Sequence, residues 1–310
     1  MTSKSVPSVP VELSRFQPLP TILCYDDFNT GTRGWLELMP NFTEPGFTWR
    51  RSAVDLTRWG PTMLSTASFG YMGTHGAVSG IYSLKLATRP VANRCEEMPA
   101  PGSMAHAIKR LSVFRPKGPI QIELWYAYTP EQDRIGLGEK DIRAFGVGFD
   151  VQDESYRYFV GARYLNSANG LLKRRWQYMQ AAEVTDADWA YGHEDEWNKR
   201  GIDPMWYGRR YPDGTTDGYR FIVDGQQHLC YNESDDKINW MYLRLKFDTA
   251  KREYVELQSC QEVFDLRGIK PTLCQTYRGV QGMLNPLAFI ETDANRRVFL
   301  FIDSVMISCG

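Results

Sequence analysis

The chain is poor in the residues that most often announce chemistry. Its 310 residues include four histidines and six cysteines, and Cys24, Cys95, Cys230, Cys260, Cys274 and Cys309 stand singly with no C-x-x-C spacing. That pattern excludes a zinc cluster or a thioredoxin-like site, and a chain this long does not depend on a disulfide framework. Charge of one sign is also missing. With 36 basic against 37 acidic side chains and a formal net charge of -1, no global field favours DNA, RNA or an anionic membrane. No apolar run reaches membrane-spanning length, and Met1-Thr2-Ser3-Lys4, running into Val6-Pro7-Ser8-Val9-Pro10, holds no signal-peptide core. A soluble cytoplasmic protein with reduced thiols is the expectation. Gly-x-Ser-x-Gly is absent, and Gly136-Leu137-Gly138 lacks the strand-to-helix setting of a dinucleotide site, so serine-hydrolase and nucleotide-cofactor readings fall away. No internal repeat is evident.

Aromatic residues, by contrast, make up 13% of the chain and include nine tryptophans. Several sit in strands where two chemistries alternate. In Trp240–Asp248, Met241, Leu243, Leu245 and Phe247 form an apolar face, while Trp240, Tyr242, Arg244 and Lys246 form the other. The first face packs a core, and the second mixes flat rings with cationic donors, as a face gripping a polar ligand would. Ile120–Tyr128 repeats the division, with Ile120, Ile122, Leu124, Tyr126 and Tyr128 opposite Gln121, Glu123 and Trp125. In Ala144–Val151 the apolar set is Phe145, Val147, Phe149 and Val151, leaving Ala144, Gly146, Gly148 and Asp150 on the other side. Two glycines on one strand face signal a close approach to the backbone. Were the three strands neighbours, small residues would floor a groove walled by Glu123, Trp125, Asp150, Trp240 and Arg244. The plainer alternative is a solvated sheet face with snorkelling side chains and a cross-strand Glu123–Arg244 ion pair.

Short strand-like runs separated by Gly, Pro, Asn and Asp follow one another from Thr21 to Ile307, which predicts an all-β sandwich of two antiparallel sheets with few helices. Residues 1–20, rich in Pro, Ser and Val, read as an extended arm, a candidate for contact with another subunit. Residues 21–310 read as one domain, interrupted at 165–218 by a segment dense in charge and aromatics, either a binding loop or a packed subdomain. The best helix candidates are 92–110 and 181–200, with Asp186 as a cap.

Two carboxylates, Glu123 and Asp150, project from otherwise apolar strands and form the leading catalytic pair. At about 5–10 Å apart they would serve glycosidic cleavage. Alternatively one of them would abstract a proton next to a carbonyl, with Arg244 or Lys246 stabilising the enolate. Gln121, Trp125, Arg163, Trp240, Tyr242 and Lys246 complete the set as substrate contacts. His193-Glu194-Asp195-Glu196 is a cluster of metal-capable side chains, but consecutive residues diverge and a solvated acidic loop is the simpler reading. His75 lies in a turn, and His106 and His228 have no supporting sequence neighbours.

The segment Cys24–Trp35 resembles the opening strand of jelly-roll sandwiches of the concanavalin A-like and carbohydrate-binding-module type. Gly80–Leu86 looks like the strand that follows, and Val298–Ile307 is similar to their closing strand. The resemblance implies a saccharide ligand and a structural calcium held by Asp26 or Asp27 together with Asp303. The plainer reading of these aspartates is turn capping. Retaining β-glucanases of this type carry E-x-D-x-x-E, which is absent, and jelly-roll alginate lyases carry Q-I-H where this chain has Gln121-Ile122-Glu123. The resulting expectation is an enzyme that cleaves a small or modified sugar by hydrolysis or β-elimination, with a lectin-like binding protein and an oligomeric scaffold as alternatives.

Overall fold

The computed structural model describes residues 11–36, 63–66, 77–78, 80–88, 103–111, 117–131, 138–180, 219–232, 239–275, 282–292, 294 and 296–310. Sixteen strands are found there: β1 Thr21–Asp26, β2 Trp35–Leu36, β3 Met63–Thr66, β4 Tyr82–Ala87, β5 Ser103–Lys109, β6 Pro119–Pro130, β7 Ile142–Gln152, β8 Tyr156–Ala168, β9 Leu171–Met179, β10 Tyr219–Gln226, β11 Met241–Asp248, β12 Glu253–Ser259, β13 Glu262–Asp265, β14 Cys274–Gln275, β15 Met283–Thr292 and β16 Val298–Cys309. They form two eight-stranded antiparallel sheets. Sheet A runs β13-β12-β11-β6-β16-β4-β3, with β1 also on β16, and sheet B runs β10-β9-β8-β7-β15-β5-β2, with β14 also on β8. This is the expected jelly-roll sandwich.

The strand period of two builds the core. Ile120, Ile122, Leu124, Tyr126 and Tyr128 of β6 and Met241, Leu243, Leu245 and Phe247 of β11 meet Phe145, Val147, Phe149 and Val151 of β7 in one buried cluster. All thirteen lie on the faces that alternation assigns to the interior. Tyr254 crosses between the sheets, its hydroxyl donating to Met179 O at 2.6 Å and accepting the Gly161 N–H at 2.9 Å. The closing strand β16 is central in sheet A. It pairs with β6 along its length, while its other edge takes β4 at Phe299–Ile302 and β1 at Val305–Cys309. The switch falls at a register shift between Ile302 and Ser304, which turns Asp303 out of the regular alternation.

Several expectations are corrected. β5 occupies part of the 92–110 helix candidate, because the run Met104-Ala105-His106-Ala107-Ile108 pairs with β15 instead of coiling. β8 and β9 extend through Met179, so the first part of the supposed 165–218 interruption is regular sheet. β15 contains Pro286, a residue that normally demotes a strand. Its ladder pairing with β5 starts only at Leu287, so Pro286 faces β7 without a β5 ladder partner. The helix candidate 181–200 with Asp186, the cluster His193–Glu196 and His75 lie outside the described residues.

Candidate functional site

The outer face of sheet A gathers most of the expected site. Register places Tyr242 opposite Trp125, Arg244 opposite Glu123 and Lys246 opposite Gln121. The Trp125 and Tyr242 rings are 5.6 Å apart, tilted at 53°. Trp240 packs on the same face against Ala87, Ala127, Phe299 and Phe301. Seven of the nine residues assigned to catalysis or substrate contact therefore share one surface.

That surface is already occupied by the chain itself. Among the described residues of the N-terminal segment, a 3-10 helix over Val11–Arg15 leads into residues that lie across sheet A. The Gln17 N–H donates to Glu123 Oε1 at 2.7 Å, and Gln121 Nε2 donates to the Gln17 carbonyl at 2.8 Å. Arg244 Nη1 donates to Gln17 Oε1 at 2.6 Å and its Nη2 to Glu256 Oε1 at 2.7 Å. Phe16 packs with Tyr242 and Met306, and the Arg15 guanidinium lies 5.7 Å from the Trp125 ring centre. Leu19 N–H closes the contact on Ser308 Oγ at 2.9 Å. Residues 15–19 thus cover the chain's own sheet A.

Glu123 is fully buried under the arm. Its Oε1 also accepts the Tyr242 hydroxyl at 2.5 Å. Burial, and then the hydrogen bond to Glu123, push the Tyr242 hydroxyl well above the usual phenol range. Arg244 bonds to Gln17 and Glu256, so the expected cross-strand bridge to Glu123 gives way to a neighbour on β12 and to the arm.

Asp150 and Arg163 belong elsewhere. Both project from the outer face of sheet B, since the alternate residues of β7 and β8 fill the core. The two sheets lie about 10 Å apart and each carboxylate points away from the other sheet, so Glu123 and Asp150 are farther apart than the roughly 10 Å that paired-carboxylate hydrolysis requires. Asp150 instead forms a forked pair with Arg157, at 3.0 and 2.8 Å. The glycine floor is filled as well: a Cβ on Gly146 would meet the Phe289 ring at 2.7 Å.

Arg163 marks a buried charged network that the alternation of β6, β7 and β11 did not reveal. Its Nε and Nη2 donate to Gln177 Oε1 at 2.9 and 2.7 Å, and its Nη1 to Glu291 Oε1 at 3.3 Å. Arg143 Nε approaches Glu291 Oε2 at 3.3 Å, and the Arg163 guanidinium stacks 3.7 Å from the Tyr219 ring centre. Arg143, Arg163 and Glu291 are 2%, 1% and 0% exposed, so this is a desolvated triad in which two guanidinium groups share one carboxylate. His106, opposite Phe289 on β5, shares the face and is pushed down to about 4 by burial. The alternation Phe289-Ile290-Glu291 was the available signal for this face, and Pro286 obscured it.

The aspartates do not fit a shared calcium. Asp26 Oδ2 accepts Trp35 Nε1 at 2.8 Å and Lys109 Nζ at 2.7 Å, which tie it to β2 and β5 of sheet B. Asp303 accepts the Val78 N–H at 2.6 Å and Arg15 Nη2 at 3.2 Å on the arm side of sheet A. Asp27 closes a local turn on the Asn29 N–H at 3.1 Å. A hard dication needs six or more oxygens, whereas each buried carboxylate here is matched to a basic side chain. Among the described residues no group of three His, Cys, Asp or Glu side chains could hold a metal.

An open cavity of about 580 Å³ lies where the start of β9, the exit of β10 and the β12–β13 turn meet. It contains Arg174 and His228, whose contact is described below.

These features define an all-β jelly-roll protein with one self-covered face and one buried charged face. The chain belongs to the family described as "Domain of unknown function (DUF6772)", whose model matches residues 3–310. No curated protein matches it in sequence. Among solved structures it is similar to the potassium-bound carbohydrate recognition domain of Emp46p, with 10% identity, a TM-score of 0.36 and coverage of 90% of this chain and 98% of that one. The legume lectin-like domain from Entamoeba histolytica gives 7% identity, a TM-score of 0.36 and coverage of 80% and 90%. A family 7 alginate lyase A1-II' variant in complex with substrate gives 8% identity, a TM-score of 0.35 and coverage of 77% and 81%.

Proposed function

We propose that this is a carbohydrate-binding protein whose ligand face is the outer surface of sheet A, with residues 15–19 as a built-in occupant that a saccharide displaces. The observation that carries the reading is how the arm is held. The Gln17 main chain donates to a carboxylate and accepts from an amide two residues apart on β6, which is what a sugar hydroxyl does. Arg15 lies over Trp125, where the apolar face of a sugar ring would stack. A cytoplasmic setting goes with this proposal, since Cys24, Cys230, Cys260 and Cys309 are all unpaired thiols.

A catalytic use of the same face has one observation in its favour. Glu123 Oε2 is buried with no hydrogen-bond partner among the described residues, while its Oε1 holds the Tyr242 hydroxyl. A carboxylate with one uncommitted oxygen beside Arg244 suits proton abstraction next to a carbonyl, with Arg244 on the resulting enolate. Hydrolysis by Glu123 with Asp150 is not part of this reading, because the two carboxylates face opposite sides of the molecule.

Binding tests the proposal directly. The full chain and a Phe16→Ala, Gln17→Gly double variant are compared on a panel of oligosaccharides. Loosening the arm by about 1.4 kcal/mol should tighten binding about tenfold, because the competent state becomes more populated. Adding Trp125→Ala and Arg244→Ala should abolish it. A panel that neither form binds removes the proposal.

A further inference from the structure

The open cavity at the end of the sandwich is a second place where polar side chains converge. At its wall the β8–β9 register jumps from Leu165–Arg175 to Ser167–Leu172, and Arg174 takes φ 50°. A non-glycine residue held left-handed is strained, and its surroundings must over-determine that conformation. They do so: Arg174 makes a forked pair with Glu139, with three contacts of 2.8–3.0 Å. Facing it, Cys260 in the β12–β13 turn takes φ 53°.

Gln227 locks the two sheets together between these points. Its N–H donates to Arg174 O at 3.0 Å, and its carbonyl accepts the Tyr164 hydroxyl at 2.6 Å. Its side-chain oxygen accepts Trp176 Nε1 at 2.7 Å, and its amide donates to Ser259 O at 3.0 Å across the sheets. With every polar group of Gln227 engaged, the cavity wall has little freedom to lose on binding.

Arg174 Nη1 lies 3.1 Å from His228 Nδ1. An arginine only donates, so His228 accepts at Nδ1 and carries its proton on Nε2. The lining then offers the imidazole N–H, the amides of Gln226 and Gln261, the Glu262 carboxylate and the Lys173 ammonium. Lys173 and Arg174 are balanced by Glu139 and Glu262, so the site favours no net charge. Burial raises the Cys260 thiol, which stays protonated and offers no nucleophile.

We propose that this cavity binds a neutral, hydroxyl-rich ligand of monosaccharide size, independently of the sheet A face. Its volume of about 580 Å³ falls within the roughly 300–1,000 Å³ of small-molecule sites. Directional donors and acceptors without net charge match hydroxyls better than a phosphate or carboxylate.

Saturation-transfer NMR on the full chain with mannose, galactose, glucose and glucuronate tests this. At least one neutral hexose should bind, and His228→Ala and Glu262→Ala, both at exposed positions, should each weaken it tenfold or more. Three results overturn the proposal: no neutral hexose bound at millimolar concentration, hexose binding undiminished in a His228→Ala, Glu262→Ala double variant, or glucuronate bound more tightly than the neutral sugars. Undiminished binding in the His228→Ala, Glu262→Ala variant places the sugar elsewhere and leaves the sheet A reading standing.

Discussion

Acid should weaken this fold through His106. The imidazole is 4% exposed on the outer face of sheet B, and burial lowers it to about 4 from an ordinary value of 6.5. Between those two values the unfolded chain takes up a proton that the folded chain refuses. Stability tied to this group is therefore complete above pH 6.5 and falls as the pH drops toward 4. At about 1.4 kcal/mol per pH unit of difference, the loss amounts to about 2.5 kcal/mol by pH 4.5 and about 3 kcal/mol by pH 4. His106→Phe keeps a ring of similar shape and removes the titration. Urea unfolding followed by tryptophan fluorescence at pH 7.5, 6.0, 5.0 and 4.5 would give both stability curves. Every other group contributes equally to both proteins, so the difference between the curves isolates the imidazole. The wild type should lose about 2.5 kcal/mol more than the variant between pH 7.5 and 4.5. Parallel curves would refute the reasoning, because they would mean that His106 is equally protonated in both states.

Glu291→Gln leaves Arg143 and Arg163 without their shared counter-charge in a desolvated site, and urea unfolding should show a loss of about 3–5 kcal/mol. Gly146→Ala places a methyl 2.4 Å from the Ala162 carbonyl oxygen and 2.7 Å from the Phe289 ring; calorimetry should show a destabilisation of about 1–3 kcal/mol as β7 and β8 shift apart. Phe16→Ala removes the arm's buried anchor between Tyr242 and Met306, and the Gln17 and Leu19 amides should exchange with solvent at least tenfold faster while the β6 amides stay protected. If sheet A is catalytic, Glu123→Gln should lower turnover of a cleavable saccharide about 10²-fold or more, and equal turnover by the variant would remove Glu123 from catalysis.

Local alternation was enough to assign the inner and outer faces of β6, β7 and β11, because a strand's side chains point to opposite sides whatever it pairs with. The all-β class followed from the number of such runs, since half-buried strands need a second sheet to cover them. β5 and β9 stayed hidden because short small-residue and charge-rich runs carry little periodic signal, and β15 because Pro286 broke its pattern. Alternation also could not say which strands share a sheet. β11 joins β6 across more than 100 residues of chain, while β7 lies in the other sheet and carries Asp150 away from Glu123. The opening and closing aspartates read alike in sequence, yet β1 and β16 aim them at Lys109 and at Arg15 respectively. Composition marked residues 1–20 as an arm, but only folding brings the Gln17 amide onto Glu123. Side-chain direction is a property of a few neighbouring residues and is written in the sequence. Partnership between distant segments depends on closing the chain on itself, and the tertiary structure decided it.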